Sequence, residues 1–333
     1  MFPGQGTQHQ GMGKELHENF AVARETFEEA SDAVKFDIAK LCFDGVESEL
    51  ALTENTQPCL LTVSIAALRV AQAETGFVPA VTAGHSLGEY AALVAAGAIP
   101  FASAVRWVRE RGLAMQSAVP LGQGAMAAII GLDDDTVSAL CREATAAGAA
   151  KRCSAGSDFT VEAVVEPANY NAPSQVVVSG SADAVAEAIA LIKSGDAFKG
   201  ASAVSLPVSA PFHSRLMKPA RDRMAELFAA ASPGEIPVRL SCPYVPNRTA
   251  RLTNEPGVVL EFLVEQVDRP VLWKQSVLAL VQAGFTKAVE FGPGSVLQGL
   301  AKRITRRAPG GPLATTGVSD LQSLKNLAGG AFK

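Results

Sequence analysis

The sequence predicts an α/β protein in which a small ferredoxin-like unit interrupts a larger body of alternating strands and helices. Three observations predict it. Hydrophobic residues make up 48% of the 333 residues but aromatic residues only 6%, so the core is expected to consist of Ala, Val, Leu and Ile. Ala-rich segments with helical spacing alternate with short β-branched runs. The middle of the chain carries the element order β-α-β-β-α-β. The length allows two domains of about 100–200 residues each.

Four helices and one strand are predicted before the middle of the chain. Apolar residues recur at helical spacing over residues 14–34, which predicts an amphipathic helix. The Ala/Leu-rich segment 57–74 predicts a buried helix with Pro58 at or near its first turn, where a backbone N–H has no partner within the helix and proline can lack one without cost. The β-branched run 77–83 predicts a buried strand. The two remaining helices are predicted over 89–97 and 101–117.

The middle of the chain predicts the ferredoxin-like order. Its elements are a strand at 125–132, a helix at 133–147, strands at 161–166 and 175–180, a helix at 181–193 and a strand at 201–208. The polar segment NYNAPS predicts the turn between the central strands. Residues 151–158 predict a surface loop. The rest of the chain returns to strand–helix alternation, with helices at 214–231, 258–266 and 273–283 and strands at 238–242 and 287–291.

Charge and cysteine content exclude several classes of protein. Lys and Arg number 29 against 33 Asp and Glu, a net charge of −4, which excludes a generally basic nucleic-acid binder. Five cysteines without a CxxC pair predict neither a disulfide framework nor a zinc site. The longest uncharged run, 112–132, is broken by Pro120 and several glycines, so no membrane span is expected. The start lacks the pattern of a signal peptide. A cytoplasmic protein with reduced thiols is therefore expected.

One short motif carries chemistry. Gly84-His85-Ser86-Leu87-Gly88 fits G-x-S-x-G, the nucleophile elbow, in which a serine occupies a sharp strand-to-helix turn between two glycines. The apolar run before it and the Ala-rich helix after it are the context that this motif requires. A purely structural Gly-Ser-Gly turn is the alternative interpretation.

A serine hydroxyl needs a base near neutral pH, and the chain has only four histidines. His85 is adjacent to Ser86, and consecutive side chains leave a tight turn in different directions. His9 and His17 lie near the N-terminus. His213 follows a predicted strand downstream of the serine, where the base lies in elbow folds. Elimination therefore indicates His213, with a helix-capping or core histidine as the alternative.

Motifs distributed over essentially the whole chain resemble one enzyme family, the malonyl-CoA:acyl carrier protein transacylases of type II fatty acid synthesis. In chain order they are FPGQGTQ at 2–8, TQP at 56–58, GHSLGE at 84–89, Arg111-Gly112 with Met115-Gln116, GAM at 124–126, VSAPFH at 208–213, Gln266 and GPG at 292–294. The resemblance implies an α/β-hydrolase-like large subdomain (1–122 and 204–333) interrupted by a ferredoxin-like small subdomain (123–203).

The resemblance also implies roles for individual residues. Ser86 would become malonylated, His213 would be its base, and Gln266 would orient the imidazole through its main-chain carbonyl. The amides of Gln5 and Leu87 would form the oxyanion hole. Residues implied to line the substrate site are Gln57, Asn169, Asn171, Phe212 and Arg111.

A guanidinium can bind a carboxylate bidentately, which is how a site distinguishes a malonyl from an acetyl group. Arg106, Arg109 and Arg111 all lie on one predicted helix, and the residues alone do not choose among them. The resemblance selects Arg111. Phe212 resembles the residue that narrows the pocket in family members that take malonyl rather than methylmalonyl groups.

The implied reaction is a ping-pong transfer from malonyl-CoA to the phosphopantetheine thiol of acyl carrier protein, with no metal or redox cofactor and no nucleic-acid or membrane partner. Acyl carrier proteins are acidic, so two basic clusters are candidate docking surfaces. They are Arg215, Lys218, Arg221 and Arg223, and Lys302, Arg303, Arg306 and Arg307. Ordinary solvated helix faces are the alternative interpretation.

The sequence departs from the family pattern in three places. Only Met1 and Phe2 precede PGQG where the family usually has a short apolar strand, which puts the anchoring of Gln5 in doubt. Thr7 stands where serine is more common, and the 151–158 loop is longer than usual.

Three other functions compete with the transacylase. They are a free-standing polyketide synthase acyltransferase, an α/β-hydrolase that cleaves esters, and a catalytically inactive subunit that binds carrier protein. The esterase lacks support because no acidic triad member or HGGG-type loop is evident. The intact Ser86 and His213 argue against the inactive subunit.

Overall fold

The computed structural model describes residues 1–155, 159–194, 198–208 and 210–331. The chain forms two compact units. The first comprises Met1–Leu113, Leu227–Phe262 and Ser276–Lys333, and the second comprises Ala114–Glu226 and Leu263–Gln275. The second unit is therefore larger than the 123–203 segment expected to form the small subdomain. Together the units make a mixed α/β fold, as the sequence predicts.

The N-terminal part of the chain is mostly helical. Its elements are α1 (Lys14–Asn19), α2 (Ala21–Val34), α3 (Ile38–Asp44), α4 (Glu47–Leu50), α5 (Thr53–Thr75), β1 (Thr82–Ala83), α6 (Gly88–Ala95) and α7 (Phe101–Ser117). The bounds predicted for α7 are correct. The single helix predicted over 14–34 is wrong, because the extended backbone of Phe20 (φ −126°, ψ 128°) separates α1 from α2. The strand predicted over 77–83 is reduced to its last two residues.

Helix α5 begins four residues before the predicted start, so Pro58 lies inside it rather than in its first turn. A proline has no N–H to offer the carbonyl four residues earlier, that of Glu54. Arg109 Nη1 donates to the Glu54 main-chain oxygen instead, at 2.8 Å. A side chain from α7 therefore satisfies the carbonyl that Pro58 leaves without its helical donor.

The middle of the chain forms one four-stranded antiparallel sheet with order β3-β4-β2-β5. Its elements are β2 (Gly124–Ile130), α8 (Asp134–Ala155), β3 (Val165–Ala172), β4 (Gln175–Ser181), α9 (Ala182–Ser194) and β5 (Ser202–Ser205). This is the predicted order of elements. One strand lies between the two strands that each helix joins: β4 lies between β2 and β3, and β2 lies between β4 and β5. The apolar faces of the sheet and the two helices form one core that includes Ile129, Leu140, Val176 and Val185.

Two local predictions in this segment are wrong. Residues 169–172 of NYNAPS belong to β3, because they pair with β4, and the turn contracts to Pro173 and Ser174. Residues 151–155 of the predicted loop continue α8. An ion pair from Arg152 to Asp183 of α9 (2.5 Å) holds that end of the helix. The remaining part of the loop, residues 156–158, lies outside the described residues, as does Ser209 of VSAPFH.

The C-terminal part supplies the rest of the first unit's strands. Its elements are α10 (Lys218–Ala229), β6 (Tyr244–Val245), α11 (Val259–Glu265), α12 (Trp273–Gln282), β7 (Lys287–Phe291), α13 (Val296–Thr305), β8 (Ala314–Val318) and α14 (Leu321–Asn326). The prediction for β7 is correct. The strand predicted at 238–242 does not form, and β6 follows it instead. Pairs β1–β6 and β7–β8 are parallel.

Met1 and Phe2 join the two strand pairs of the first unit. The Phe2 amide donates to Ala83 O (3.0 Å) and the Phe291 amide donates to Met1 O (2.9 Å). The His85 amide in turn donates to Phe2 O (3.0 Å). The N-terminal segment is therefore hydrogen-bonded to the ends of both β1 and β7, three residues before Gln5.

None of the helices in the described part of the chain has the length and apolar character of a transmembrane span. All five cysteines are free thiols. Among the described residues, no three His, Cys, Asp or Glu side chains are grouped so that they could hold a metal ion.

Candidate active site

Ser86 lies in a tight turn between β1 and α6. Its φ of 51° is in the left-handed region, which is uncommon for a residue with a side chain. The flanking glycines are required by contact: a Cβ on Gly84 would lie 1.9 Å from Gly88 O, and a Cβ on Gly88 would lie 2.1 Å from Phe2 O. The backbone therefore has the sharp strand-to-helix turn that the motif predicts, with the serine partly exposed.

Arg111 extends from α7 to the serine. Its Nη2 donates to Ser86 Oγ at 3.1 Å and its Nη1 donates to Gln57 Oε1 at 2.8 Å. The residue is only 2% exposed, and its guanidinium lies 5.9 Å from the centre of the Tyr90 ring. Burial lowers the pKa of Arg111, although arginine stays a cation at neutral pH. A buried positive charge therefore lies next to the serine hydroxyl.

The other two arginines of α7 have different partners. Arg106 is exposed and pairs with Glu235 at 2.8 Å, and Arg109 binds the main-chain oxygen of Glu54. Of the three arginines, Arg111 is the one that contacts Ser86.

Hydrogen bonds connect Arg111 to the loop that carries Gln5. Gln57 Nε2 donates to Thr53 Oγ1 (3.1 Å), and Thr53 Oγ1 donates to Gln5 Oε1 (2.7 Å). Gln57 and Thr53 lie one turn apart on α5 and are buried. Sequence reasoning did not single out Thr53, and its only signal is its position four residues before Gln57.

The two amides expected to form an oxyanion hole belong to Gln5 and Leu87. Leu87 precedes the first residue of α6, where the main-chain N–H groups have no partner within the helix. Within the described residues, neither the Gln5 amide nor the Leu87 amide donates a hydrogen bond. Both are therefore available to an oxyanion.

Asn247 is a second residue that sequence reasoning missed. Its side-chain amide bonds the main chain of the elbow on both sides of His85, and no motif in the sequence marks it.

His213 belongs to the second unit, where the residue is 4% exposed. Its Nδ1 lies 2.8 Å from Gln266 O. A carbonyl only accepts, so Nδ1 carries a proton, and in the neutral ring Nε2 then has the lone pair that a general base needs. The segment that carries Gln266 is fixed to β3, because the Tyr170 amide donates to Val271 O and the Val271 amide donates to Ala168 O, each at 2.9 Å.

The other predicted residues of the second unit lie on or against the same sheet. Asn169 is buried on β3, and Asn171 lies on the same strand at an irregularity in its pairing with β4. Phe212 packs against an apolar cluster that includes Met126 and Val177.

The two basic clusters differ in their ion pairs. All four cations after His213 are paired: Arg215 with Glu166, Lys218 with Asp222, Arg221 with Asp268 and Arg223 with Glu226. The positive charge of this cluster is therefore compensated by carboxylates. The second cluster consists of exposed residues on α13 and the turn after it: Lys302, Arg303, Arg306 and Arg307. Within the described part of the chain, none of them takes part in an ion pair.

Comparisons with known proteins agree with the motifs. The family model described as acyl transferase domain matches residues 1–318. Malonyl CoA-acyl carrier protein transacylase of Bacillus subtilis (strain 168) is 42% identical over 325 residues, which cover 98% of this chain and 94% of that protein. The crystal structure of acyl-carrier-protein S-malonyltransferase from Burkholderia pseudomallei 1710b has a TM-score of 0.87 at 45% identity and covers 98% of both chains.

Another solved structure is described as a type II PKS acyl-carrier protein in complex with its malonyl-transacylase. It has a TM-score of 0.85 at 40% identity and covers 98% of this chain and 97% of that chain. The resemblance drawn from the sequence motifs is confirmed by the match over nearly the whole chain. The chain belongs to the acyl transferase domain family.

Proposed function

We propose that this protein is a malonyl-CoA:acyl carrier protein transacylase that moves a malonyl group from CoA to the phosphopantetheine thiol of acyl carrier protein. The observation that carries the proposal is the buried Arg111 guanidinium, 3.1 Å from Ser86 Oγ. An acyl group bound to that serine has its far end within reach of a fixed cation. A malonyl group has a carboxylate there, and an acetyl group does not. Relatives at 38–44% identity carry the name of this activity.

In the first half-reaction, Ser86 Oγ attacks the thioester carbonyl of malonyl-CoA while His213 Nε2 accepts the hydroxyl proton. The amides of Gln5 and Leu87 donate to the oxyanion that forms on the carbonyl oxygen. The C–S bond then breaks, and the CoA thiol leaves with the proton from His213. The bond from His213 Nδ1 to the Gln266 carbonyl supports this role, because it selects the neutral tautomer in which Nε2 has the lone pair.

In the second half-reaction, the phosphopantetheine thiol gives its proton to His213 and attacks the malonyl-serine ester, and Ser86 leaves with that proton. Each step is a proton transfer or an acyl transfer, so no metal or redox cofactor is proposed. Gln57 supports Arg111 through its hydrogen bond. Asn169, Asn171 and Phe212 are proposed to line the acyl pocket.

The proposed architecture is an α/β-hydrolase-like subdomain with a ferredoxin-like insertion. The split arrangement of β2, β3, β4 and β5 supports the insertion, since each helix joins strands separated by one other strand. The elbow at Ser86 supports the hydrolase-like part. The proposed compartment is the cytoplasm, and the five free thiols support it because reduced cysteines are typical there.

The proposed macromolecular partner is acyl carrier protein. A free positive surface attracts an acidic partner, whereas cations already paired with carboxylates contribute little field. Docking is therefore assigned to the unpaired basic cluster on α13 and not to the cluster after His213.

A polyketide carrier protein is the second candidate acceptor, because one solved structure of the family holds such a carrier. The same residues would perform the same chemistry. Competition between a fatty acid carrier and a polyketide carrier for limiting malonyl-enzyme distinguishes the two, since the preferred carrier takes the label first.

The proposal is tested by incubating the protein with malonyl-, methylmalonyl- or acetyl-CoA and measuring its intact mass, then adding holo carrier protein. A malonyl adduct that is absent in Ser86→Ala and moves to the carrier is the expected result. An adduct that persists in Ser86→Ala contradicts the assigned nucleophile. Release only to water indicates a hydrolase, and the absence of any adduct indicates a subunit that binds without catalysis.

A further inference from the structure

Asn247 continues the ladder between β1 and β6 beyond the point where the strands end. The two strands pair at Thr82 with Tyr244 and at Ala83 with Val245, and the Thr82 amide donates to Pro243 O at 3.0 Å. Beyond Val245 the main chain no longer pairs with β1. The next two polar groups of the elbow on the β6 side are Gly84 O and the Ser86 N–H. Each of them forms a hydrogen bond with a side chain instead.

The side-chain amide of Asn247 satisfies both groups. Its Nδ2 donates to Gly84 O at 2.6 Å, and its Oδ1 accepts from the Ser86 amide at 2.7 Å. These two partners also settle the orientation of the amide, because a carbonyl needs a donor and an N–H needs an acceptor. The carboxamide thus takes the place of a peptide group in the ladder.

Asn247 is itself fixed. It is 1% exposed, and its main-chain amide donates to Glu89 Oε2 at 3.1 Å, on the first turn of α6. Asn247 therefore bonds Gly84 before the serine, Ser86 itself and Glu89 after it. The left-handed φ of Ser86 costs energy, and such a conformation persists only where its surroundings over-determine it.

We propose that Asn247 is a positioning residue for the nucleophile, which holds Ser86 in its left-handed conformation by bonding both Gly84 O and the Ser86 amide. It touches neither substrate nor reacting atoms and acts through Ser86. The inference rests on the proposed function in one respect, that Ser86 is the nucleophile. Its consequence is that loss of the amide slows attack by the serine without weakening recognition of the malonyl carboxylate by Arg111.

Asn247→Leu tests this, because leucine has the same branch at Cγ as asparagine and makes neither hydrogen bond. Rapid-quench measurement of malonyl-enzyme formation is made over a range of malonyl-CoA concentrations, well below the melting temperature. We expect the maximal acylation rate to fall by about 100-fold, the scale of a misplacement of about 1 Å, with half-saturation changed by less than about threefold. Asn247→Asp keeps the acceptor for the Ser86 amide and is the second variant where the leucine variant does not fold.

Two controls separate positioning from a loss of stability. Leu16→Ala opens a cavity in the core on α1, which contributes no residue to the elbow, and lowers the melting temperature with the acylation rate unchanged. Asn326→Leu changes an exposed asparagine on α14. A folded Asn247 variant that acylates at the wild-type rate overturns the proposal, as does an equal effect on rate and half-saturation. An adduct that remains in Ser86→Ala would instead refute the proposed nucleophile.

Discussion

Replacing Arg111 by alanine is expected to abolish the preference for an acyl group that ends in a carboxylate. The guanidinium is buried, and its two terminal nitrogens already point to Ser86 Oγ and Gln57 Oε1. It pays little conformational cost when a carboxylate arrives, and the pair forms away from water, where charged hydrogen bonds are strong.

The size of the effect follows from this burial. Removing one partner of a buried, hydrogen-bonded charge pair costs about 2–5 kcal/mol. At about 1.4 kcal/mol per factor of ten, kcat/KM for malonyl-CoA falls by about 30- to 4,000-fold. Acetyl-CoA offers the guanidinium no charge, so its kcat/KM is expected to stay within about threefold of wild type or to rise.

The assay is transfer from each of the two thioesters to holo carrier protein, followed by mass spectrometry. Arg106→Ala is the matched control, because Arg106 lies on the same helix, is exposed and pairs with Glu235. Equal losses for malonyl- and acetyl-CoA in Arg111→Ala would refute the reasoning, since they would mean that the arginine supports the fold or the serine and not the carboxylate.

Four further outcomes are expected. Thr53→Val removes the bonds to Gln5 Oε1 and Gln57 Nε2. Acylation by malonyl-CoA should slow by about tenfold, which corresponds to the loss of about 1–1.5 kcal/mol from one or two hydrogen bonds. A wild-type rate would show that the chain of bonds is dispensable. Gln266→Met should retain most of the acylation rate that His213→Ala loses, because His213 bonds the main-chain carbonyl of residue 266, which the substitution keeps. Equal losses of rate in the two variants would assign the role to the Gln266 side chain. The double variant Lys302→Glu, Arg303→Glu should raise KM for carrier protein and leave KM for malonyl-CoA unchanged. The control Lys40→Glu, which replaces an exposed cation on α3, should change neither KM. A rise in both KM values of the double variant would contradict docking at α13. Arg152 holds the pKa of Asp183 at about 2, so this pair contributes stability above pH 3.8 that is lost as the pH falls towards 2. The difference in the free energy of unfolding in urea between wild type and Arg152→Ala, about 1 kcal/mol at pH 7, should narrow as the pH approaches 2. A difference that stays constant with pH would disprove the linkage.

Local backbone chemistry explains which parts of the site were predictable from sequence. The elbow was predictable because the contacts that require its glycines involve residues of recognisable motifs. Gly84 packs against Gly88 within the elbow itself, and Gly88 packs against Phe2 of FPGQG. Helix α7 was predictable because its apolar spacing is regular from Phe101 to Ser117. The element order of the middle segment followed from strand and helix periods alone.

Tertiary contacts decided the rest. Residues 169–172 have turn-forming side chains but extend β3, because β4 on one side and Val271 on the other supply their hydrogen bonds. Thr53 meets Gln5 across 48 residues of sequence and Asn247 meets Ser86 across 161, and a single sequence carries no signal for such pairs. The basic cluster after His213 has the charge pattern of a docking surface, and only the fold brings Glu166 and Asp268 to neutralise it.

The hydrogen-bond chain from Ser86 through Arg111, Gln57 and Thr53 to Gln5 has a consequence for how recognition and catalysis combine. One end of the chain is the cation proposed to read the acyl group, and the other is the loop whose amide is proposed to hold the oxyanion. Because every link is at least partly buried, a shift of one member leaves a polar group unsatisfied, which costs more than the bond itself contributes. The loop and the arginine are therefore held to the same helix, α5, before substrate binds. Binding energy from the carboxylate can then be used at the reacting carbonyl, because little of it is consumed in assembling the site.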